Sequence, residues 1–260
     1  MGISHRIEAG IAEIVMDNPP VNALTTRGWF DLAELVTRLG KDPAVRVVIL
    51  TAEGKGFNAG VDIKEIEASR AAGEGYAALI GANRGCFAAF AAVYECEVPV
   101  IAAVHGYCLG GGIGIVGNAD IIVASDDASF GLPEVDRGAL GAATHLARLV
   151  PQHKMRAMFF TGTRASAAEL LQHGSVLEVV PRAELRACAR KVATQIAAKS
   201  SAVIRAAKQA LNGIDPVDVK RSYRYEQGFT FELNLSGVSD EARAAFVEKR
   251  DANFDKPGNK

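Results

Sequence analysis

Short runs of β-branched apolar residues alternate along this 260-residue chain with longer segments of helical apolar spacing. Ile11–Met16 partly alternates and predicts a strand, which Asp17-Asn18-Pro19-Pro20 breaks. A helix follows, capped by Thr25 or Thr26, with Phe30, Leu32, Leu35, Val36 and Leu39 mostly on one face and Gly40 at its end. Val45–Thr51 is a short β-branched run and Pro99–Val104 an apolar one, both consistent with buried parallel strands. Between them, residues 72–97 are Ala-rich and helical in pattern. Ala119–Ser125 and Val176–Val180 predict two further strands, separated by loops and a short helix in residues 129–150. From Arg182 onward the composition shifts to Ala, Lys, Arg and Glu, and only helices are expected. The order of elements predicts an α/β core over residues 1–181 and a C-terminal helical region over residues 182–260.

Bulk composition narrows the functional classes. Apolar residues make up 49% and charged residues 23%, ordinary for a globular protein with one sizeable core. The formal net charge of −1 and the absence of a basic block argue against nucleic acid and against an anionic membrane surface. The N-terminal residues hold no apolar signal core, and no uncharged apolar stretch is long enough to span a bilayer. Cys86, Cys96, Cys108 and Cys188 show no metal-like spacing and read as reduced, buried residues of a cytoplasmic protein. No His-x-x-x-His pair or clustered carboxylate set predicts a metal site.

Candidate chemistry lies in two glycine-bearing turns: Gly56-Phe-Asn-Ala-Gly-Val-Asp-Ile63 and Gly106-Tyr-Cys-Leu-Gly-Gly-Gly-Ile113. Each follows a strand-like run and opens a helix-like one, so each can aim a backbone N–H at a ligand oxygen. In this order the two turns resemble those of the crotonase (enoyl-CoA hydratase/isomerase) superfamily. The resemblance covers nearly the whole chain. It implies a ββα spiral core, a homotrimer or homohexamer, and C-terminal helices over the active site. It also implies an acyl-CoA substrate with no separate cofactor, since CoA is part of the substrate.

Carried over position by position, the resemblance implies an oxyanion hole made by the N–H groups of Val61 and Gly111. Ala59, Asp62 and Ile63 fall where the family binds the adenine and pantetheine arm, and Lys64 is placed to meet a phosphate. A carboxylate at Asp62 also suits a helix cap. Phe87 and Phe90, on the helix near Asn83, are candidates for an apolar acyl pocket. Family hydratases carry two glutamates. The first position is Gly114 here, and the second is present as Glu134 in Phe130-Gly-Leu-Pro-Glu134. Two carboxylates position water for addition across C=C, so one alone argues against simple hydration. Glu134 is the leading general acid/base, with Asp136 and His145 behind it, and Gly114 is expected to leave room for a bulky ring.

Further segments narrow the resemblance, among them Ala82–Phe90, Gly138–His145 and Glu226–Asn234. They look like those of the ring-opening acyl-CoA hydrolases of actinobacterial steroid C/D-ring breakdown. This implies hydrolytic, retro-Dieckmann-like C–C cleavage of a bicyclic keto-acyl-CoA. An enoyl-CoA hydratase or isomerase acting on a bulky acyl chain is the alternative, and a non-catalytic CoA-binding protein is the third reading.

Overall fold

The computed structural model describes residues 2–74 and 76–253. The chain opens with an antiparallel pair, β1 (Gly2–Glu8) and β2 (Ile11–Asp17). The edge strand β1 alternates too weakly between buried and exposed positions to be read from its pattern. Helix α1 (Thr26–Lys41) begins at Thr25, whose hydroxyl accepts from the Gly28 N–H at 3.2 Å. Leu32, Leu35, Val36 and Leu39 are buried on α1, whereas Phe30 departs from the expected face and stays 41% exposed. Strand β3 (Val47–Ala52) follows, then α2 (Ile63–Ala71), α3 (Ala77–Tyr94) and strand β4 (Val100–Val104).

The second glycine turn separates the short strand β5 (Tyr107–Leu109) from α4 (Gly111–Val116). Strands β6 (Ile121–Ser125) and β7 (Ser129–Gly131) precede a 3-10 turn, Pro133–Arg137, and helix α5 (Ala143–Leu146). Helix α6 (Gln152–Thr161), strand β8 (Arg164–Ser166), helix α7 (Ala167–Gln172) and strand β9 (Glu178–Val180) complete the strand-bearing part. Four helices end the described chain: α8 (Leu185–Ala197), α9 (Ser201–Gly213), α10 (Val219–Leu235) and α11 (Val238–Glu248).

The main sheet has the order β1-β2-β3-β4-β6-β9, parallel from β2 onward. A second sheet, β5-β7-β8, stands beside it. Successive side chains of a strand point to opposite faces, and both faces of the main sheet are covered. Ile14, Leu50, Ala102 and Ala124 pack in the main core with α1 and α3. Their neighbours Ile49, Ile101, Ala103 and Val123 pack against Cys188, Ala189, Val192 and Ala193 of α8. The C-terminal helices therefore divide in role: α8 covers the sheet, while α10 reaches α3 and α5, and α11 reaches the 3-10 turn.

Helix α3, with 18 residues and a mean hydropathy of 1.3, is long and apolar enough by composition to cross a membrane. Its buried face, Ala82, Gly85, Cys86, Ala89, Phe90 and Val93, packs as a core helix instead. Gly85 makes the close approach to α1 possible, because a Cβ there would meet Trp29 Cβ at 2.8 Å.

Candidate active site

The site is assembled from loops at the ends of the two parallel strands β3 and β4. In the first turn, Asn58 is fully buried. Its amide donates to Asn22 O at 2.5 Å, and its Oδ1 accepts from the Gly60 N–H at 2.8 Å. Leu24 N–H donates to Gly60 O at 2.9 Å, and the Asp62 N–H donates to Leu24 O at 3.0 Å. Both neighbours of Val61 are thus tied to Leu24. Among the described residues, the N–H of Val61 finds no protein acceptor, and neither does that of Gly111.

The two turns touch at their glycines. Gly60 has φ +89°, and a Cβ there would stand 3.0 Å from Gly111 N, in front of the second donor. Gly110 has φ +57°, and a Cβ there would meet Glu134 Oε1 at 2.7 Å. Both backbone conformations favour glycine, and in both places a side chain would also occupy the space that the donors and Glu134 share. Gly111 opens α4, so the amide dipoles of that short helix add to the positive potential of the turn.

A cavity of about 440 Å³ opens onto these groups. Val61, Gly111 and Glu134 line it together, as do Ala59, Asp62, Ile63, Lys64 and Phe90. Asp62 also caps α2, accepting from the Lys64 N–H at 3.0 Å. Glu134 is set by the 3-10 turn that Pro133 opens. Its Oε2 is buried without a hydrogen-bond partner. Burial pushes its carboxyl up from 4.5 to about 8, although the neighbouring Arg137 charge pulls the other way. Among the described residues, no group of three or more His, Cys, Asp and Glu side chains is gathered to hold a metal ion.

Three expected residues lie elsewhere. Asp136 is exposed and outside the cavity lining, because the tight 3-10 turn that directs Glu134 inward turns Asp136 toward Gly162. His145 is 1% exposed but sits behind the cavity wall, with its ring centroid 5.1 Å from that of Phe90 and 5.0 Å from that of Tyr223. Asn118 Nδ2 approaches its Nδ1 at 3.0 Å, and burial lowers its pKa to about 3. It is a neutral core imidazole, too weakly basic to take a proton from water at neutral pH. Phe87 leaves the acyl side of α3 and carries the Arg224 guanidinium 4.0 Å above its ring.

The space opposite Glu134 also differs from expectation. A Cβ on Gly114 would collide with the Phe90 ring. The glycine therefore admits a protein side chain rather than substrate. Phe90 packs edge-on to Trp29 at 5.6 Å and presents an apolar surface where a second carboxylate would otherwise stand.

Several lining residues escaped the sequence reading. Leu140, Gly141 and Ala142 come from the loop before α5, Tyr223 from α10 and Arg137 from the 3-10 turn, while Phe246 of α11, one of the tail phenylalanines that the family resemblance offers as closing a pocket, lines the cavity as well. Tyr223 had a readable signal. Tyr223, Gln227, Thr230 and Asn234 form a buried polar stripe at helical spacing on α10, a face turned toward protein rather than solvent. Burial holds the Tyr223 phenol well above its usual pKa, so it is a neutral donor.

The family model described as enoyl-CoA hydratase/isomerase matches residues 6–257. The chain belongs to the enoyl-CoA hydratase/isomerase family. Two relatives, from Rhodococcus jostii and Mycobacterium tuberculosis, are each 64% identical to it. Both are (7aS)-7a-methyl-1,5-dioxo-2,3,5,6,7,7a-hexahydro-1H-indene-carboxyl-CoA hydrolases. The first match covers 95% of each chain, and the second covers 93% of this chain and 96% of the relative. Among solved structures of the family, the carnitinyl-CoA hydratase of Mycobacterium avium superposes with a TM-score of 0.83 at 28% identity, over 98% of each chain.

Proposed function

We propose that this enzyme hydrolyses a C–C bond in a bicyclic 1,5-dioxo acyl-CoA, opening the five-membered ring. The observation that carries this reading is the 64% identity, nearly end to end, to two hydrolases of such a thioester. The site supports it with the Glu134 carboxylate, whose Oε2 is buried and unpartnered, beside two N–H groups that find no protein acceptor among the described residues.

The chemistry follows from those groups. Glu134 in its ionised form takes a proton from water, and the water oxygen adds to the ring ketone next to the methyl-bearing fusion carbon. The bond between that carbonyl carbon and the fusion carbon then breaks. The carbonyl carbon becomes a carboxylic acid, and the electron pair passes through the conjugated system into the thioester. The resulting enolate oxygen is held by the N–H groups of Val61 and Gly111, each such donor contributing about 3–4 kcal/mol. Protonated Glu134 returns its proton to carbon. One water is consumed and no redox cofactor is needed. Ala59, Asp62, Ile63 and Lys64 are assigned to the CoA arm, and Phe90 to the ring.

The reading extends to the setting. Breakdown of the steroid C and D rings supplies substrates of this shape, and a cytoplasmic location suits four buried, free cysteines. A homotrimer or homohexamer is proposed because Tyr225, Leu235 and Val247 leave large apolar area exposed on the C-terminal helices. Light scattering that returned the monomer mass of 27.4 kDa would remove the oligomer.

A second reading, isomerisation or hydration of a bulky enoyl-CoA, is favoured by one feature: a lone carboxyl at about 8 can shuttle a proton between two carbons. Rates on the bicyclic dioxo thioester, on crotonyl-CoA and on a long-chain enoyl-CoA separate the two. Faster turnover of the bicyclic compound supports hydrolysis of the ring, and faster hydration or isomerisation of crotonyl-CoA or of a long-chain enoyl-CoA would transfer the assignment to the second reading.

A further inference from the structure

Among the described residues, Arg137 is a guanidinium in the cavity wall that forms no ion pair with a carboxylate. It lies one turn beyond Glu134 on the same 3-10 helix and lines the same cavity. Its charge rests 4.3 Å over the Phe246 ring of α11. Its Nε is buried and meets no acceptor. Other inward-facing arginines are paired: Arg243 with Asp240 and Glu67, and Arg148 with Asp215 and Gly117 O. Arg137 is half-buried with its Nε shut off from solvent, and a desolvated donor left without an acceptor is costly, while the planar guanidinium fork fits a carboxylate through two parallel N–H bonds. Burial accordingly pulls the Arg137 pKa down. Glu134 does not fill the role, since no ion pair joins the two and its own Oε2 is also unpartnered.

We propose that Arg137 is the receptor for a carboxylate at the acyl end of the ligand, the group that ring opening creates. The inference rests on the hydrolase reading for the origin of that carboxylate. A ketone oxygen of the intact ring accepts from the same fork more weakly, so the contact strengthens as the carbonyl carbon becomes an acid. Arg137 thereby favours acyl groups that end in, or become, an anion, with Phe246 holding the guanidinium plane in place.

Binding of adipoyl-CoA and hexanoyl-CoA tests this without any turnover, since the two have the same chain length and differ by one terminal carboxylate. Titration calorimetry is expected to show wild-type protein preferring adipoyl-CoA by roughly 10- to 100-fold, the range of a hydrogen-bonded charge pair. Arg137→Met is expected to abolish that preference while leaving hexanoyl-CoA unchanged, and Arg137→Lys to retain part of it. No preference in the wild type, or an equal preference in Arg137→Met, overturns the proposal. Equal weakening of both ligands and of free CoA also overturns it, because Arg137 would then hold a CoA phosphate. Failure of the hydrolase reading appears separately, as no ring opening by the wild type.

Discussion

Glu134 combines two features that determine its chemistry: an oxygen without a partner and a carboxyl held at about 8 by burial. At neutral pH burial therefore keeps this carboxyl mostly protonated. If it activates water, kcat/KM of the free enzyme rises with pH and levels off above about 8. Glu134→Gln is expected to lower kcat by roughly 10²- to 10⁴-fold and to remove that limb. Stability moves in the opposite sense. The folded carboxyl keeps its proton between 4.5 and about 8 while the unfolded one has lost it, so this group lowers stability as pH rises through that window. Glu134→Gln should therefore raise Tm at pH 8 more than at pH 5, measured by thermal melts at both. Gly114 belongs to the same scale. Gly114→Ala drives a methyl into the Phe90 ring and is expected to cost ~1–3 kcal/mol in urea unfolding, with Phe90→Leu recovering part of the loss.

The elements that complete the site come from far along the chain. Glu226 of α10 accepts from the Ala143 N–H at 2.9 Å and the Thr144 N–H at 2.5 Å, capping α5 from outside. That cap holds the Leu140–Ala142 loop, which lines the cavity and includes Ala142 at φ +62°. Glu226→Ala is expected to cost ~1–3 kcal/mol of stability, since two buried N–H groups lose their acceptor, and to raise KM more than it lowers kcat. This distance explains what could be read in advance. Val61, Gly111 and Glu134 fall within short motifs whose local turns fix their direction, and all three line one cavity. The buried runs of β2, β3, β4 and β6 were equally plain. Asp136 and Phe87 lie outside the cavity lining, because proximity in sequence says nothing of which side of a turn or helix faces the cavity. The core position of His145 depends on Asn118, Phe90 and Tyr223 closing around it, which no local pattern shows. Arg137 and Phe246 meet only once α11 folds back onto the 3-10 turn.

In the whole molecule, a sheet buried on both faces fixes the two glycine turns, and the C-terminal helices enclose the space in front of them. Helix α8 seals the sheet, while α10 and α11 supply Tyr223 and Phe246. Largely apolar walls, the two N–H groups that find no protein acceptor among the described residues, and the Glu134 carboxyl suit a site that must bring a single water to a ketone and hold an enolate. The incorporation of oxygen from water decides whether it does so. Purified protein is incubated with the bicyclic 1,5-dioxo acyl-CoA in 18O-labelled water, and the product is followed by mass. Ring hydrolysis requires a product heavier by one labelled water, with the label in a new carboxylate and the thioester intact. Label in an alcohol, or a labelled free acid formed by loss of CoA, would rule out C–C hydrolysis at this site.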